Sequence, residues 1–443
     1  MKRQKPTIRL HIILLLFLLL SALAACCGGP EEPTGSPVSL PAPETEHSSP
    51  TPEQTTLPGM TESAASSTAP ETFPTETAAP SNPEPLPTEP PEEDEAHRLL
   101  RELSLEERVA QMFVVTPEAL TGVTGPVTAA GESTRAAFDR LPVGGILYMG
   151  QNLVSPDQTR AMLAGMDAIS RERIGLPAFL CVDEEGGDVA RISGNPAFGV
   201  EAVPPMAELD TQGNPEVARE AGLSIGAYLR DLGFNTDFAP CADVWSNPEN
   251  RVVRSRSFGS DPDTVCRMAR ALAEGLLEQE ILPCYKHFPG HGGTAEDSHL
   301  GFARLDMDLE TLKSSPELAP FLDGAAWGVP MIMTGHISVP AATGDELPAS
   351  LSGKLIELLR GPETDYQGLL ITDALSMGAV TARYSPGEAA VLAVLAGNDL
   401  LLVADHLEEA YNAVLEAVRN GKIDQERIDE SVLRILRAKE RLP

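Results

Sequence analysis

Beyond residue 98 one pattern recurs eight times in this chain: a short apolar segment, a loop, then a stretch with helical periodicity. The apolar segments are VAQMFVV (109–115), VGGILYM (143–149), AFLCVD (178–183), NTDFAP (235–240), LPCYKHF (282–288), VPMIMTGHI (329–337), LLITDALSM (369–377) and DLLLVAD (399–405). Near-continuous apolar runs of this length suit parallel strands covered on both faces, with helices as the crossovers between them. Eight such units predict an α/β fold, a single TIM-type (β/α)8 barrel over residues 97–443. The intervening stretches carry helix signals. SPDQTRAMLAGMDAIS puts Ser155 in the capping position and Pro156 in the first turn. Ile428, Val432, Ile435 and Leu436 form one stripe between Asp424 and Arg441, which predicts a closing helix.

What precedes the barrel is of another kind. Residues 1–25 begin with Lys2, Arg3, Lys5 and Arg9 and run into the apolar stretch Ile12 to Leu20, an export signal too short to span a membrane. Leu23-Ala24-Ala25-Cys26 resembles the bacterial lipobox, so Cys26 is the expected lipid anchor and the outer face of the cell membrane the expected location. Residues 26–96 are Pro, Thr, Ser, Glu and Ala with almost no large apolar side chain. They read as a disordered linker, semi-extended by its prolines. Fourteen acids and no base lie between Gly28 and Glu95, and the whole chain carries a net charge of −32. Phosphate would repel such a chain, which excludes nucleic acid as a partner. Cys181, Cys241, Cys266 and Cys284 show no C-x-x-C spacing, which argues against a zinc ribbon and for free thiols.

Active sites of this fold lie at the carboxyl ends of the strands. Those ends supply Asp183, Glu185, Asp243, Lys286, His287, His336 and Asp373, whereas the opposite rim shows no comparable set of inward-pointing charges. A mouth of carboxylates, histidines and cations without a phosphate-binding glycine loop points to a polyhydroxylated ligand, a carbohydrate. Retaining hydrolysis of a glycosidic bond needs a carboxylate nucleophile and a proton donor for the departing oxygen. Asp373 ends a buried strand and is aimed into the mouth, as a nucleophile must be. The alternative is an Asp that caps the next helix. The stretch KHFPGHGGTAEDSHL (286–300) finishes the fifth strand, and Pro289-Gly290 turns it into a loop over the mouth. There Asp297 and His299 are spaced so that the carboxylate can fix one ring nitrogen while the other shuttles a proton.

KHFPGHGGTAEDSH, VDEEGGDVAR (182–191) and ITDALSMGAV (371–380) together resemble glycoside hydrolase family 3, in its bacterial β-N-acetylhexosaminidase branch. The resemblance implies that Asp373 forms a glycosyl-enzyme and that His299 is the acid/base with Asp297 as its partner. It also implies that Asp183, Arg191, Arg256, Lys286 and His287 hold the sugar. No cofactor or metal is implied. The chain departs from the family pattern at Asp188, where Arg is usual, at Gly293, where Asp is frequent, and at Ala374, which replaces a second Asp. A carboxylate at 188 could pair with Arg191. A zinc site from His287, His291, Asp297 and His299 is disfavoured because Pro289-Gly290 precludes helical ligand spacing. The function expected is exo-β-N-acetylglucosaminidase, with peptidoglycan fragments the substrate an exported enzyme meets first. A β-glucosidase of the same family, a non-catalytic glycan-binding lipoprotein, and phosphorolysis in place of hydrolysis stay open.

Overall fold

The computed structural model describes residues 94–295, 303–403 and 406–443. The export signal, Cys26, most of the linker, and Asp297 and His299 lie outside them. All eight apolar segments contain a strand: β1 Phe113–Val115, β2 Gly145–Leu147, β3 Phe179–Val182, β4 Thr236–Asp237, β5 Leu282–Phe288, β6 Met331–Thr334, β7 Leu369–Thr372 and β8 Leu401–Val403. They pair in parallel in the order β7-β6-β5-β4-β3-β2-β1-β8. A parallel bridge between Ile371 and Leu400 joins the last strand to β7, so the sheet closes on itself. Closure leaves no strand edge open to water or to another chain.

The crossover helices start where local chemistry dictates. Ser155, Asn214, Asp261 and Ser385 each accept a backbone N–H through their side chains, and a proline opens each following helix: Pro156–Ile174, Pro215–Leu232, Pro262–Glu278 and Pro386–Ala396. The closing helix is Gln425–Lys439, with the predicted stripe of Ile428, Val432, Ile435 and Leu436 fully buried. One expected strand is shorter than its apolar run. Val109, Ala110 and Gln111 belong to the helix Leu105–Gln111, because Ser104 and Glu107 form a reciprocal capping box that starts a helix there.

The rim opposite the mouth is not free of inward charge, contrary to the sequence expectation. Asp399, fully buried before β8, accepts from Leu370 N, Ser431 Oγ, Arg434 and Arg360. Arg427 reaches the neighbouring Asn398 carbonyl. These arginines sit on amphipathic helices, where sequence alone reads them as solvated. Here they tie the closing helix and the helix Gly353–Arg360 to the barrel floor. Lys439 is buried as well, its Nζ 2.8 Å from Gln111 Oε1 and 5.3 Å from the Phe179 ring.

Burial pushes the Lys439 ammonium down to about 7 from the 10.5 of an exposed lysine. The folded value is the lower one, so the unfolded chain holds the extra proton between those limits and stability rises with pH across them. Lys439→Met should flatten that rise. It should also stabilise the protein at pH 6 by about 4 kcal/mol, after subtracting about 1 kcal/mol for the donor lost to Gln111. Urea unfolding of both proteins at pH 6 and pH 9 measures this, and an unchanged pH slope in the variant would contradict it.

Candidate active site

Four ionised side chains alternate in sign across the carboxyl ends of β3 to β5. Lys286 Nζ lies 2.8 Å from Asp183 Oδ1 and 2.6 Å from Glu185 Oε1, and Arg256 grips Glu185 through two bonds of 2.8 Å. Lys286 and Glu185 are only 2% exposed, whereas the Asp183 side chain retains 17% and faces the mouth. Charges this deep persist only when paired, because the desolvation of each is offset by its neighbours. Burial alone would raise the Glu185 carboxyl, but Arg256 and Lys286 overcome it and hold Glu185 at about 2. The same two carboxylates keep Lys286 charged despite its burial. Arg191 is more loosely placed, its Nη2 4.0 Å from Asp183 Oδ2.

His287 is held by a carboxylate with no exposure at all. Asp243 Oδ2 lies 2.8 Å from His287 Nδ1, while Oδ1 accepts from the backbone N–H groups of His287 and His291 at 3.1 and 2.6 Å. Although burial works against it, the Asp243 charge is stabilised by His287 and His291 and stays well below the usual carboxylate range. Nδ1 therefore carries the ring proton toward Asp243. Nε2 is left as an acceptor, 3.4 Å from Arg256 Nη2.

Asp373 directly follows β7. Its Oδ1 accepts from Ala374 N at 2.7 Å, and Oδ2 takes no hydrogen bond among the described residues. Burial raises its carboxyl, yet His336, His287, the Ala374 N–H and Lys286 outweigh that, so Asp373 is ionised at neutral pH. His336 steadies the turn: Nε2 donates to the Ala374 carbonyl at 2.9 Å and Nδ1 lies 2.8 Å from Ser350 Oγ. An ionised carboxylate with one oxygen unused at the end of a rigid strand is competent for nucleophilic attack.

The described part of the loop after β5 is clamped. Asn250, buried, donates to the carbonyls of His291 and Thr294, and its Oδ1 accepts from Val252 N and Val253 N. Buried Glu317 accepts from Ser246 Oγ at 2.5 Å. A Cβ on Gly292 would lie 1.7 Å from the Val244 carbonyl oxygen, and one on Gly293 would lie 2.6 Å from Glu317 Oε1. Glu317 thus fills the space beside Gly293 and leaves no room there for a side chain.

Of the sugar-holding residues expected from sequence, Asp183, Arg191, Arg256, Lys286 and His287 form one cluster, linked to one another or through Glu185. Asp373 ends a strand of the same barrel mouth. Glu185 supports Lys286 and Arg256 rather than Arg191. Asp188 does not pair with Arg191 either: it is exposed and accepts from Ser255 Oγ at 2.7 Å. Asn250 and Glu317 went unnoticed, since nothing in their sequence surroundings marks them. The adjacent Glu184 is spent on structure, accepting from Ile192 N, Ser193 and Tyr228. Cys241, Asp243 and His287 bring ligand-type atoms within 4.8 Å of one another, the one metal-like grouping among the described residues. Burial raises the Cys241 thiol well above its ordinary value, and its Sγ donates to Asp243 Oδ2 at 3.2 Å. The protonated Cys241 thiol is thus one more donor to the Asp243 carboxylate. The four cysteines are free.

Residues 104–438 match the family model described as glycosyl hydrolase family 3 N terminal domain. Among curated proteins, β-hexosaminidase A of Pseudoalteromonas piscicida is 31% identical over 69% of this chain and 54% of its own length. The β-hexosaminidase LpqI of Mycobacterium tuberculosis is 35% identical over 59% of this chain and 67% of its own. Among solved structures, a glycoside hydrolase family 3 β-N-acetylglucosaminidase from Paenibacillus sp. str. FPU-7 superposes with a TM-score of 0.71 at 39% identity. That match covers 76% of this chain and 62% of the other. The chain therefore spans little more than half the length of some of its relatives.

Asp243→Asn removes the charge that fixes the His287 ring. Stability should fall by about 2 kcal/mol, the cost of weakening the buried charge-assisted hydrogen bonds that Asp243 accepts from His287 and His291. The His287 proton should also move to Nε2 in a substantial fraction of molecules. Urea unfolding and 15N NMR of the histidine ring report the two effects. An unchanged tautomer would show that Asp243 does not orient the imidazole.

Proposed function

The chain belongs to glycosyl hydrolase family 3, and from that premise we propose that it is a retaining exo-β-N-acetylglucosaminidase, lipid-anchored at Cys26 on the outer face of a bacterial membrane. Its substrate is a peptidoglycan fragment with a terminal N-acetylglucosamine. The names of the relatives, β-hexosaminidase and β-N-acetylglucosaminidase, support the sugar. The export signal and lipobox support the place. The observation that carries the chemistry is Asp373, ionised at the end of β7 with Oδ2 unused, at the mouth that also holds the Asp183–Lys286–Glu185–Arg256 chain.

Asp183 accepts from sugar hydroxyls with the oxygen not spent on Lys286, while Lys286, Arg191 and Arg256 donate. His287 Nε2 accepts a hydrogen bond from a further sugar hydroxyl. Asp373 Oδ2 attacks the anomeric carbon and forms a covalent glycosyl-enzyme as the bond to the departing oxygen breaks. His299 gives that oxygen its proton and then takes one from the water that releases the sugar, with Asp297 stabilising the imidazolium.

Purified protein should hydrolyse 4-nitrophenyl N-acetyl-β-glucosaminide in preference to the β-glucoside. The reverse preference would favour a β-glucosidase, and binding without turnover a glycan-binding protein. Asp373→Ala should lower kcat by at least about 10⁴-fold. His299→Ala should slow substrates with poor leaving groups far more than aryl glycosides, and equal losses on both would contradict the acid role. In the native host Cys26→Ser should move the protein from the membrane fraction to the soluble one, and continued membrane retention would refute the anchor.

A further inference from the structure

Asp237, the second residue of β4, is an acid in the otherwise uncharged segment NTDFAP. Its side chain has no exposure at all. Its Oδ1 accepts from the backbone N–H of Glu184 at 2.9 Å, while Oδ2, buried as well, has no hydrogen-bond partner among the described residues. The bond falls where the ladder between β3 and β4 runs out. Val182 is the last residue of β3 to pair, opposite Asp237, and Phe238 N donates to the Val182 carbonyl at 2.9 Å. The Asp237 side chain takes up the Glu184 N–H beyond that pair and so extends the ladder by one bond. The residue it holds stands between the two carboxylates of the sugar cradle, Asp183 and Glu185, which lie 2.8 and 2.6 Å from Lys286 Nζ.

The surroundings of Asp237 favour an uncharged acid. Burial raises its carboxyl well above the ordinary range, and the carboxylates of Glu184 and Asp183 add to the rise, against the Glu184 N–H and the Lys286 ammonium. The other titratable groups that face it are Cys181 on β3, Cys284 on β5 and Tyr228 on the helix Pro215–Leu232. Burial pushes each of them up, so they bring no charge. An ionised carboxylate at this depth with a single hydrogen bond would be left uncompensated. The ammonium of Lys286 is already shared by Asp183 and Glu185, and a charged Asp237 would compete with them for it. A proton on Oδ2 removes that competition and leaves Oδ1 to hold Glu184.

We propose that Asp237 is a positioning residue of the sugar cradle, which sets the spacing of Asp183 and Glu185 on Lys286 through the Glu184 N–H. The proposal rests on the glycosidase reading above and adds to it a residue that touches no sugar. The side chain of Glu184 is fixed independently, accepting from Ile192 N, Ser193 N and Tyr228 Oη. Asp237 supplies the second anchor, and without it the backbone between Asp183 and Glu185 loses its tie to β4. The role requires an acceptor and no charge, so an amide can replace the acid and a methyl group cannot.

Kinetics on 4-nitrophenyl N-acetyl-β-glucosaminide and urea unfolding, both with the full-length protein, test this. Asp237→Ala should raise KM about tenfold and leave kcat within about twofold, the signature of binding lost equally from substrate and transition state. Asp237→Asn should rescue it, with KM back to within about twofold of the parent. The proton is read separately, through stability. The folded acid keeps its proton above the value of about 3.9 at which the unfolded chain loses it, so the parent loses stability as pH rises from there. Asp237→Asn has no such loss, and its urea midpoint should gain on that of the parent between pH 4.5 and pH 7. An unmoved KM in folded Asp237→Ala, or an Asn variant as impaired as the Ala variant, would overturn the proposal while leaving the glycosidase reading intact. So would a midpoint difference between the Asn variant and the parent that is the same at both pH values, a result that decides the matter even if Asp237→Ala does not fold. No turnover by the parent protein would overturn the glycosidase reading and this proposal with it.

Discussion

Everything at the barrel mouth depends on how buried charge is compensated. Asp183, Lys286, Glu185 and Arg256 alternate in sign, and each inner member contacts two opposite charges. A single one of these groups, isolated at this depth, would shed its charge. Together they remain ionised, and their geometry is fixed because any displacement would uncover a charge. The partly exposed end of the chain, Asp183, is thereby presented to a ligand with its hydrogen-bonding capacity pre-aimed. Asp243 applies the same logic to an imidazole, determining which nitrogen of His287 faces outward.

The floor of the barrel uses similar chemistry for another purpose. Asp399, Arg360 and Arg434, with Arg427 on the adjacent carbonyl, are a buried ionic cluster as dense as the one at the mouth, yet they join helices to strands. Charge density alone therefore does not mark the functional face. What separates the two ends is the presence of unspent capacity: Asp373 Oδ2 and the mouth-facing Asp183 above, against an Asp399 whose two oxygens are each doubly engaged below.

Much of this was legible in the sequence, for physical reasons. A strand covered on both faces must be apolar throughout, so all eight strands announced themselves, and Ser155-Pro156 marked a helix start because only certain residues cap one. Asp183, Lys286, His287 and Asp373 could be placed because each sits where an apolar run ends. The rest depended on contacts between residues far apart in the chain. Nothing near Asn250 says that it clamps a loop 41 residues further on, and nothing near Glu317 says that it takes a hydrogen bond from Ser246, 71 residues before it. Of the consecutive Glu184 and Glu185, only the fold decides which faces Lys286 and which is used up by the hairpin beneath. The arginines of the floor belong to helices whose pattern looks solvated. Val109 to Gln111 joined a helix because the Ser104 cap outweighed the apolar run.

The central claim is that the alternating charges of β3 to β5 and the carboxylate of β7 serve one bound sugar. A crystal structure of the protein soaked with N-acetylglucosamine tests it most directly. The account predicts the sugar hydroxyls within hydrogen-bonding distance of Asp183 and Lys286, with the anomeric carbon turned toward Asp373 Oδ2. A sugar ring bound elsewhere on the barrel, or bound at the mouth with its anomeric carbon facing away from Asp373, would contradict it.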